Sequence, residues 1–351
     1  MDRVYHVSKT LPINIRDNIG CPNIEFVLLD YNSKDNLESW VRSNMMNYIQ
    51  TGLLKYCRTN DPVRFHISHA KNLVSRLSSG EILCMMDADN YTGPGYVDWV
   101  SSVFTERGDK SFVLASEEDI RNFGDLGGKI CIHRNLFETA RGYDESMIGY
   151  GMEDVDIAHR LVKAGAKKVF IEDKAFLKYI AHSTEDRLKN YDLLHQVENV
   201  YIQVHVNESM EKKAVILYVM HNNIYNELTY KFSGVAKGDL LATMKGWFVE
   251  ENGYKEGEFV RQEIGGGSDD RRALFNEEGK RLLRFEHGNK SVWERIPRES
   301  PLFMRLLVAH SSGLNFIKYQ ENEGLGKAIN TAGWGKGKVY LNFNYTNPVN
   351  I

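Results

Sequence analysis

The sequence predicts an α/β domain built on a mostly parallel sheet, followed by a smaller all-β domain, a sandwich or a barrel. Three observations carry this expectation. Before about residue 205, short apolar runs alternate with amphipathic segments, the pattern of strand–helix units. Beyond about residue 212, strand-like runs are separated by Gly, Asn and Asp clusters, among them residues 265–270. All four cysteines (Cys21, Cys57, Cys84 and Cys131) lie in the first part. A chain of 351 residues is long enough for about two domains, expected at 1–205 and 212–351.

The first strand is expected at Ile24–Leu29, ending at Asp30. A helix follows from Leu37, with apolar residues at Trp40, Val41, Met45, Tyr48 and Ile49 and with Asp35-x-x-Glu38 as its capping signal. Ala70, Leu73, Val74 and Leu77 form a second helical stripe, with Ser68 placed to cap it and Gly80 to end it. Ile82–Met86 is a continuous apolar run too short for a helix and reads as a strand buried on both faces. Further strands are expected at Phe112–Ala115, Lys129–Ile132 and Lys168–Ile171, and helices at Tyr96–Phe104, Glu153–Ala164 and Asp186–Tyr201. In the second part the strand-like runs are Ala214–Met220, Leu228–Phe232, Gly246–Glu250, Leu282–Glu286, Phe316–Gln320 and Lys338–Phe343.

Composition removes several function classes. Hydrophobic residues at 42% and charged residues at 26% exclude a disordered chain. A net charge of −3 leaves no electrostatic footprint for nucleic acid or anionic lipid. The cysteines form no CxxC pair, so free thiols in a reducing compartment are the simpler reading. No stretch approaches the ~18 apolar residues of a membrane span, and no signal-peptide core follows Met1. The expected location is the cytoplasm, extending to the inner membrane face, with no transmembrane segment and no nucleic-acid partner.

Two acidic motifs carry chemistry. Asp87-Ala88-Asp89 directly follows the expected buried strand, and ligands of open α/β sheets bind beyond the carboxyl ends of strands. Two carboxylates there can hold a hard divalent cation. The blander reading has Asp89-Asn90 opening a turn and Asp87 capping the next helix. The second motif is Gly149-Tyr150-Gly151-Met152-Glu153-Asp154-Val155-Asp156, leading into a helix. Acids in a first turn commonly just complement the helix dipole. On the helical wheel, however, Asp154 falls in line with Ile157, Ala158 and Leu161, the apolar face, whereas Asp156 falls with His159, Arg160 and Lys163. An inward carboxylate needs a polar pocket to face, and there it can act as a general base. Asp156 is expected on the solvated face with a structural role.

Together these parts resemble the GT-A-fold nucleotide-sugar glycosyltransferases of family 2 over residues 1–205. The matching stretches are Val27–Ser33, His69-Ala70-Lys71-Asn72-Leu73, Ile82–Asn90 with its DxD, and Gly142-Tyr143-Asp144-Glu145 followed by Gly151–Asp156. The last is similar to the Gly-Gly-Glu-Asp-x-Asp segment of the galactosyltransferase C-terminal module. The resemblance implies a Rossmann-like GT-A domain, a nucleotide-sugar donor with UDP as its nucleotide, Mn²⁺ or Mg²⁺, a glycan or lipid-linked acceptor, and a place in polysaccharide biosynthesis. By position, it implies that Asp30 contacts the uracil or ribose, Lys71 lies near the diphosphate, and Asp87 and Asp89 form the DxD pair with Asp89 the closer metal ligand. It further implies His182 as a metal ligand, Gly127 and Gly128 lining the sugar pocket, Glu153 meeting sugar or acceptor hydroxyls, and Asp154 as the catalytic base. One base and no carboxylate nucleophile favour direct displacement with inversion.

Family members carry a further strand before the segment that here reads Arg3-Val4-Tyr5-His6, and this sequence opens just beyond it. The competing readings are an inactive or carbohydrate-binding relative, in which Trp247, Trp293 and Trp334 stack on sugars, and a nucleotidyltransferase, which leaves Asp154 without a task.

Overall fold

The first apolar run forms β1 (Phe26–Tyr31), as its β-branched and aromatic content favours. α1 (Val4–Asn18) precedes it, and α2 (Leu37–Asn44) and α3 (Met46–Gln50) follow before β2 (Leu54–Thr59). At the start of α2 the Asp35 carboxylate accepts from the Leu37 amide at 3.1 Å, whereas Glu38 turns away to Arg42 at 2.8 Å. The chain continues through α4 (Ile67–Leu77), β3 (Ile82–Met85), α5 (Tyr96–Arg107), β4 (Ser111–Leu114), α6 (Glu117–Phe123), β5 (Ile130–His133), α7 (Arg134–Thr139), α8 (Glu153–Lys163) and β6 (Lys167–Phe170). Ser68 is not the cap of α4. His66 takes that place, its ring accepting from the His69 amide, and Ser68 is buried inside the first turn.

In this computed structural model the described residues are 1–123, 126–206, 212–232, 247–263, 272–276, 293–326 and 328–351. Two compact units divide them: Met1–Ile148 with Met152–Ser183 and Asn322–Ile351, and Gly149–Gly151 with Thr184–Glu321. The expected boundary of 1–205 and 212–351 is therefore corrected at both ends. Residues 184–205 belong to the second unit, and the last thirty residues return to the first. No helix among the described residues is long and apolar enough to cross a membrane.

The first unit holds two four-stranded sheets rather than the one expected. In one, β1 lies parallel to β2, β2 antiparallel to β13 (Lys338–Leu341), and β13 antiparallel to β14 (Val349–Asn350). In the other the order is β3-β5-β4-β6, with only β4–β6 parallel. β1 and β3 are thus both terminal strands of their sheets. Ile157, Ala158 and Leu161 of α8 pack with Leu83, Met85, Phe112 and Ile132 on one face of the second sheet. Tyr96, Val100 and Phe104 of α5 cover its other face. β3 is not buried throughout, because Cys84 is exposed. The C-terminal return is tightly held. Asn342 exchanges hydrogen bonds with the Tyr56 backbone at 3.0 and 2.8 Å, and Phe343 stacks on the Tyr56 ring at 4.6 Å.

The second unit is not all-β. Its antiparallel sheet runs β11 (Arg272–Asn276), β10 (Trp247–Glu263), β9 (Ile224–Phe232), β8 (Lys212–Met220), β7 (Val197–Val206) and β12 (Glu294–Ile296). A long helix, α11 (Pro301–Leu325), packs on it, so the unit is α+β. Tyr218 and Tyr230 donate their hydroxyls to the Leu306 and Ala309 carbonyls at 2.7 Å each, and the buried His310 ring bonds Asn226 Oδ1 at 2.9 Å. The run Phe316–Gln320 lies inside this helix, not in a strand. The helix expected over Asp186–Tyr201 is replaced by two short helices, α9 (Thr184–Leu188) and α10 (Asp192–Gln196), before β7. Val200 and Ile202 are buried at alternate positions of β7, a period of two that overrides the helical reading. Leu282–Glu286 and residues 265–270 lie outside the described residues.

Candidate active site

Two groups of side chains gather in the first unit. The first begins where β3 ends. The Asn90 amide donates to the Asp87 carbonyl at 3.0 Å, turning the chain, and the Asp89 carbonyl accepts from the Ile180 amide at 2.8 Å. A bridge between Asn90 and Tyr179 keeps the two segments antiparallel. Two residues beyond Ile180, His182 comes within 3.2 Å of Asp89, Nε2 to Oδ2. Asp89 is buried, and Oδ2 has no hydrogen bond of proper geometry. On the other side, α1 holds the same turn: Thr10 donates to the Ala88 carbonyl at 2.7 Å and Asn14 to the Asn90 carbonyl at 3.0 Å.

The second group joins α4 to the start of α8. Lys71 Nζ lies 2.7 Å from Asp154 Oδ1 and 3.5 Å from Glu153 Oε1. Burial alone would depress this ammonium, but Asp154 and Asp87 outweigh it and hold the Lys71 pKa well above its ordinary value. Glu153 is driven the opposite way. Burial, with the neighbouring Asp154 charge, raises its carboxyl to about 7 although Lys71 opposes the shift. Its Oε2 is buried without a hydrogen bond. Asp154 keeps 18% of its side chain exposed, more than Lys71 or Glu153. The two glycines expected to line a sugar pocket are here. A Cβ on Gly127 would stand 3.8 Å from Asp154 Oδ2, and one on Gly128 would strike Asp87 Oδ2 at 2.1 Å. The missing side chain at Gly128 therefore makes room for the Asp87 carboxylate itself.

The structure thus brings Lys71, Asp87, Gly127, Gly128, Glu153 and Asp154 together, and separately Asp89 with His182. Asp30 stands apart from both. It is fully buried, its Oδ2 accepting from Tyr56 and Arg58 at 2.6 Å each and its Oδ1 from the Ser33 amide at 2.8 Å. The carboxylate expected to meet a nucleotide is committed to this interior ion pair. Asp156 is also corrected. It is 1% exposed, not solvated, and accepts from Arg160 at 2.7 Å while Arg160 donates to the Ala140 and Gly142 carbonyls. The wheel misplaces it because the Ala140–Gly142 turn covers that side of α8.

Two positions that the sequence left unremarked also belong here. Met152, before Glu153, sits at φ 75°, a left-handed conformation that L residues rarely adopt. Asn72 exchanges hydrogen bonds with the Tyr143 backbone at 2.8 Å each way, tying α4 to the segment before α8. Its place beside Lys71 within the HAKNL stretch was the available signal. Of the tryptophans named as sugar platforms, two have described side chains, and both pack against protein groups. Trp334 packs edge-on against Phe137 at 5.4 Å with Arg76 over its face, and Trp293 packs against the Leu217–Phe259 cluster. The Trp247 side chain lies outside the described residues.

Among the described residues, no group of three His, Cys, Asp or Glu side chains is close enough to hold a metal alone. Asp87 accordingly does not complete a protein ligand set with Asp89 and His182. The pair itself does suit a hard cation: one imidazole nitrogen faces one buried carboxylate oxygen that no hydrogen bond satisfies. Magnesium-like ions commonly take one or two protein carboxylates and draw their other ligands from phosphate and water.

Residues 117–184 match the family described as "N-terminal domain of galactosyltransferase". No curated protein matches the sequence. Among solved structures, the chain is similar to GalNAc-T7 with UDP, GalNAc and Mn²⁺ (14% identity, TM-score 0.38), covering 47% of this chain and 39% of that one. It thus spans about two fifths of that protein's length. It is also similar to a Drosophila β1,4-galactosyltransferase 7 variant with manganese, UDP-Gal and xylobiose (14% identity, TM-score 0.29), covering 56% of this chain and 94% of that one. The catalytic domain of the Drosophila enzyme with xylobiose gives 13% identity, TM-score 0.29 and the same coverage. Likeness at this level carries no functional weight.

Proposed function

We infer from the galactosyltransferase segment at residues 117–184 that this chain is a glycosyltransferase, moving a sugar from a nucleotide-sugar donor, a UDP-sugar, to a hydroxyl of a glycan or lipid-linked acceptor. The observation that carries the reading is the Lys71–Asp154–Glu153 group beside Gly127 and Gly128, all within one unit. Asp154, half-buried and oriented by Lys71, is placed to take the proton of the acceptor hydroxyl as that oxygen attacks the anomeric carbon. The bond from that carbon to the diphosphate breaks on the opposite side, and the configuration inverts. Glu153, whose carboxyl burial and the Asp154 charge raise to about 7, keeps a protonated fraction near neutral pH that can donate a hydrogen bond to a sugar or acceptor oxygen. Asp89 and His182 are the residues that would hold Mn²⁺ or Mg²⁺, which when bound offsets the charge growing on the leaving diphosphate.

UDP titrated with and without Mn²⁺, followed by Asp154→Asn, tests the reading. UDP binding should strengthen with the metal. Asp154→Asn should bind UDP as the parent does and lose ~10²–10⁴-fold in transfer rate. A chain that binds no UDP, or binds triphosphates in preference, overturns it.

A further inference from the structure

Lys129 is fully buried, and among the described residues no carboxylate pairs with it, which is unusual for an ammonium group. It precedes β5 and follows the glycine pair. Its Nζ donates to the Tyr91 carbonyl at 2.7 Å and to the Phe176 carbonyl, and it lies 4.5 Å from the centre of the Tyr96 ring. An apolar side chain of the same length would fill this space without the desolvation cost of a charge, so the two carbonyls explain the lysine. They belong to the two segments that carry Asp89 and His182. Tyr91 is two residues after Asp89 and donates its own amide to the Lys178 carbonyl at 2.9 Å. Phe176 ends the short turn Lys174–Phe176, and the chain runs from it to His182. The two segments meet closely elsewhere too: a Cβ on Gly93 would stand 2.9 Å from the Ala175 carbonyl oxygen.

We propose that Lys129 is a positioning residue for the cation and diphosphate end of the site, clamping the Asp89 and His182 segments at the spacing their side chains need. Lys129 touches neither side chain and acts only through the backbone of both segments. This rests on the transferase reading, which makes Asp89 and His182 a functional pair. Groups that orient metal ligands typically change metal affinity about 10–100-fold when removed.

The test compares the full 351-residue chain with Lys129→Met, which keeps the reach and loses the donors, and with Lys129→Gln, which keeps donors and loses the charge. UDP affinity is measured by calorimetry in excess MnCl₂ and in EDTA, and amide hydrogen exchange is followed at Tyr91 and Ile180. Lys129→Met should lose about tenfold in the Mn²⁺-supported affinity, keep the affinity seen in EDTA, and exchange faster at both amides. Lys129→Gln should fall between it and the parent. A folded Lys129→Met with parental Mn²⁺ response and parental exchange overturns the proposal. So do variants that both fail to fold, since Lys129 then serves stability alone. A parent chain indifferent to Mn²⁺, with exchange still faster in Lys129→Met, leaves the clamp standing and removes the metal reading instead.

Discussion

Asp156 and Glu153 occupy the same turn of α8, and their buried carboxyls meet different fates. Asp156 is matched by the Arg160 guanidinium, two of whose nitrogens lie 2.9 and 2.7 Å from the same carboxylate oxygen. Removing one partner of a buried pair leaves the other charge unmatched, at a cost of about 3–5 kcal/mol. Asn retains part of the hydrogen bonding, so Asp156→Asn should destabilise by about 2–4 kcal/mol, with the folded fraction keeping most of its transfer rate. Denaturant titration beside a rate assay checks this. Glu153 holds a proton in the folded chain up to about pH 7, whereas the unfolded chain releases it near the ordinary 4.5. Between those values the folded state binds more protons, so its contribution to stability is full below the lower value and is lost as pH rises through the upper one. Glu153→Gln removes this slope. Thermal melts should show the variant gaining on the parent, by on the order of 1 kcal/mol or more, from about pH 5 to about pH 8.

The entry to α8 carries strain that the sequence could have avoided. Met152 at φ 75° costs ~1–2 kcal/mol relative to a helical or extended backbone. Glycine there adds ~0.4–1 kcal/mol of unfolded-chain entropy to lose. Met152→Gly should therefore gain about 0.5–1 kcal/mol in chemical denaturation, and an equal loss would show that the Met side chain supplies packing. At this scale most of the first unit was legible. β1, β3, β4, β5, β6 and α8 lie within two residues of their expected ends, and α5 starts where expected and runs three residues longer, because each pairs a clear apolar period with a clear break. β2 escaped because Leu54–Thr59 mixes Lys55 and Arg58 into its apolar positions, and Arg58 reaches inward to Asp30. α11 escapes the sequence reading because Phe316–Gln320, by itself, has the composition of a strand. Phe303, Leu306, Leu307 and His310, all buried, give the helical spacing when the run is followed from Pro301. The Lys71–Asp154 approach was legible only through the family resemblance, since Lys71 lies in neither acidic motif. The Asp30–Arg58 pair was not legible, because nothing in a strand end tells whether its acid faces a ligand or an interior arginine.

For the whole molecule, the return of residues 322–351 to the first unit decides what can stand alone. Without them β2 loses β13 as its neighbour, and Phe137 and Arg76 lose Trp334. A fragment of residues 1–205, which composition suggests as a domain, should therefore be proteolysed rapidly and give no cooperative melt. The full chain should resist. A sharp, protease-resistant transition in the fragment would show that the C-terminal strands only decorate the sheet.

That same return has a consequence for synthesis. Tyr56 and the Asn342 side chain that receives its amide are 286 residues apart. At roughly 5–20 residues per second, translation takes on the order of ten seconds to a minute to deliver the partner. Contacts of such high order are slow to form even in a finished chain. The second unit waits less, since β7, β8, β9 and β10 pair with their neighbours in sequence and, among the described strands, β12 alone returns across it to β7. On the ribosome, the last unit to begin emerging is thus the first able to finish. The nascent first unit exposes the bare edge of β2 throughout that interval, and that edge is where a chaperone would be expected to hold it.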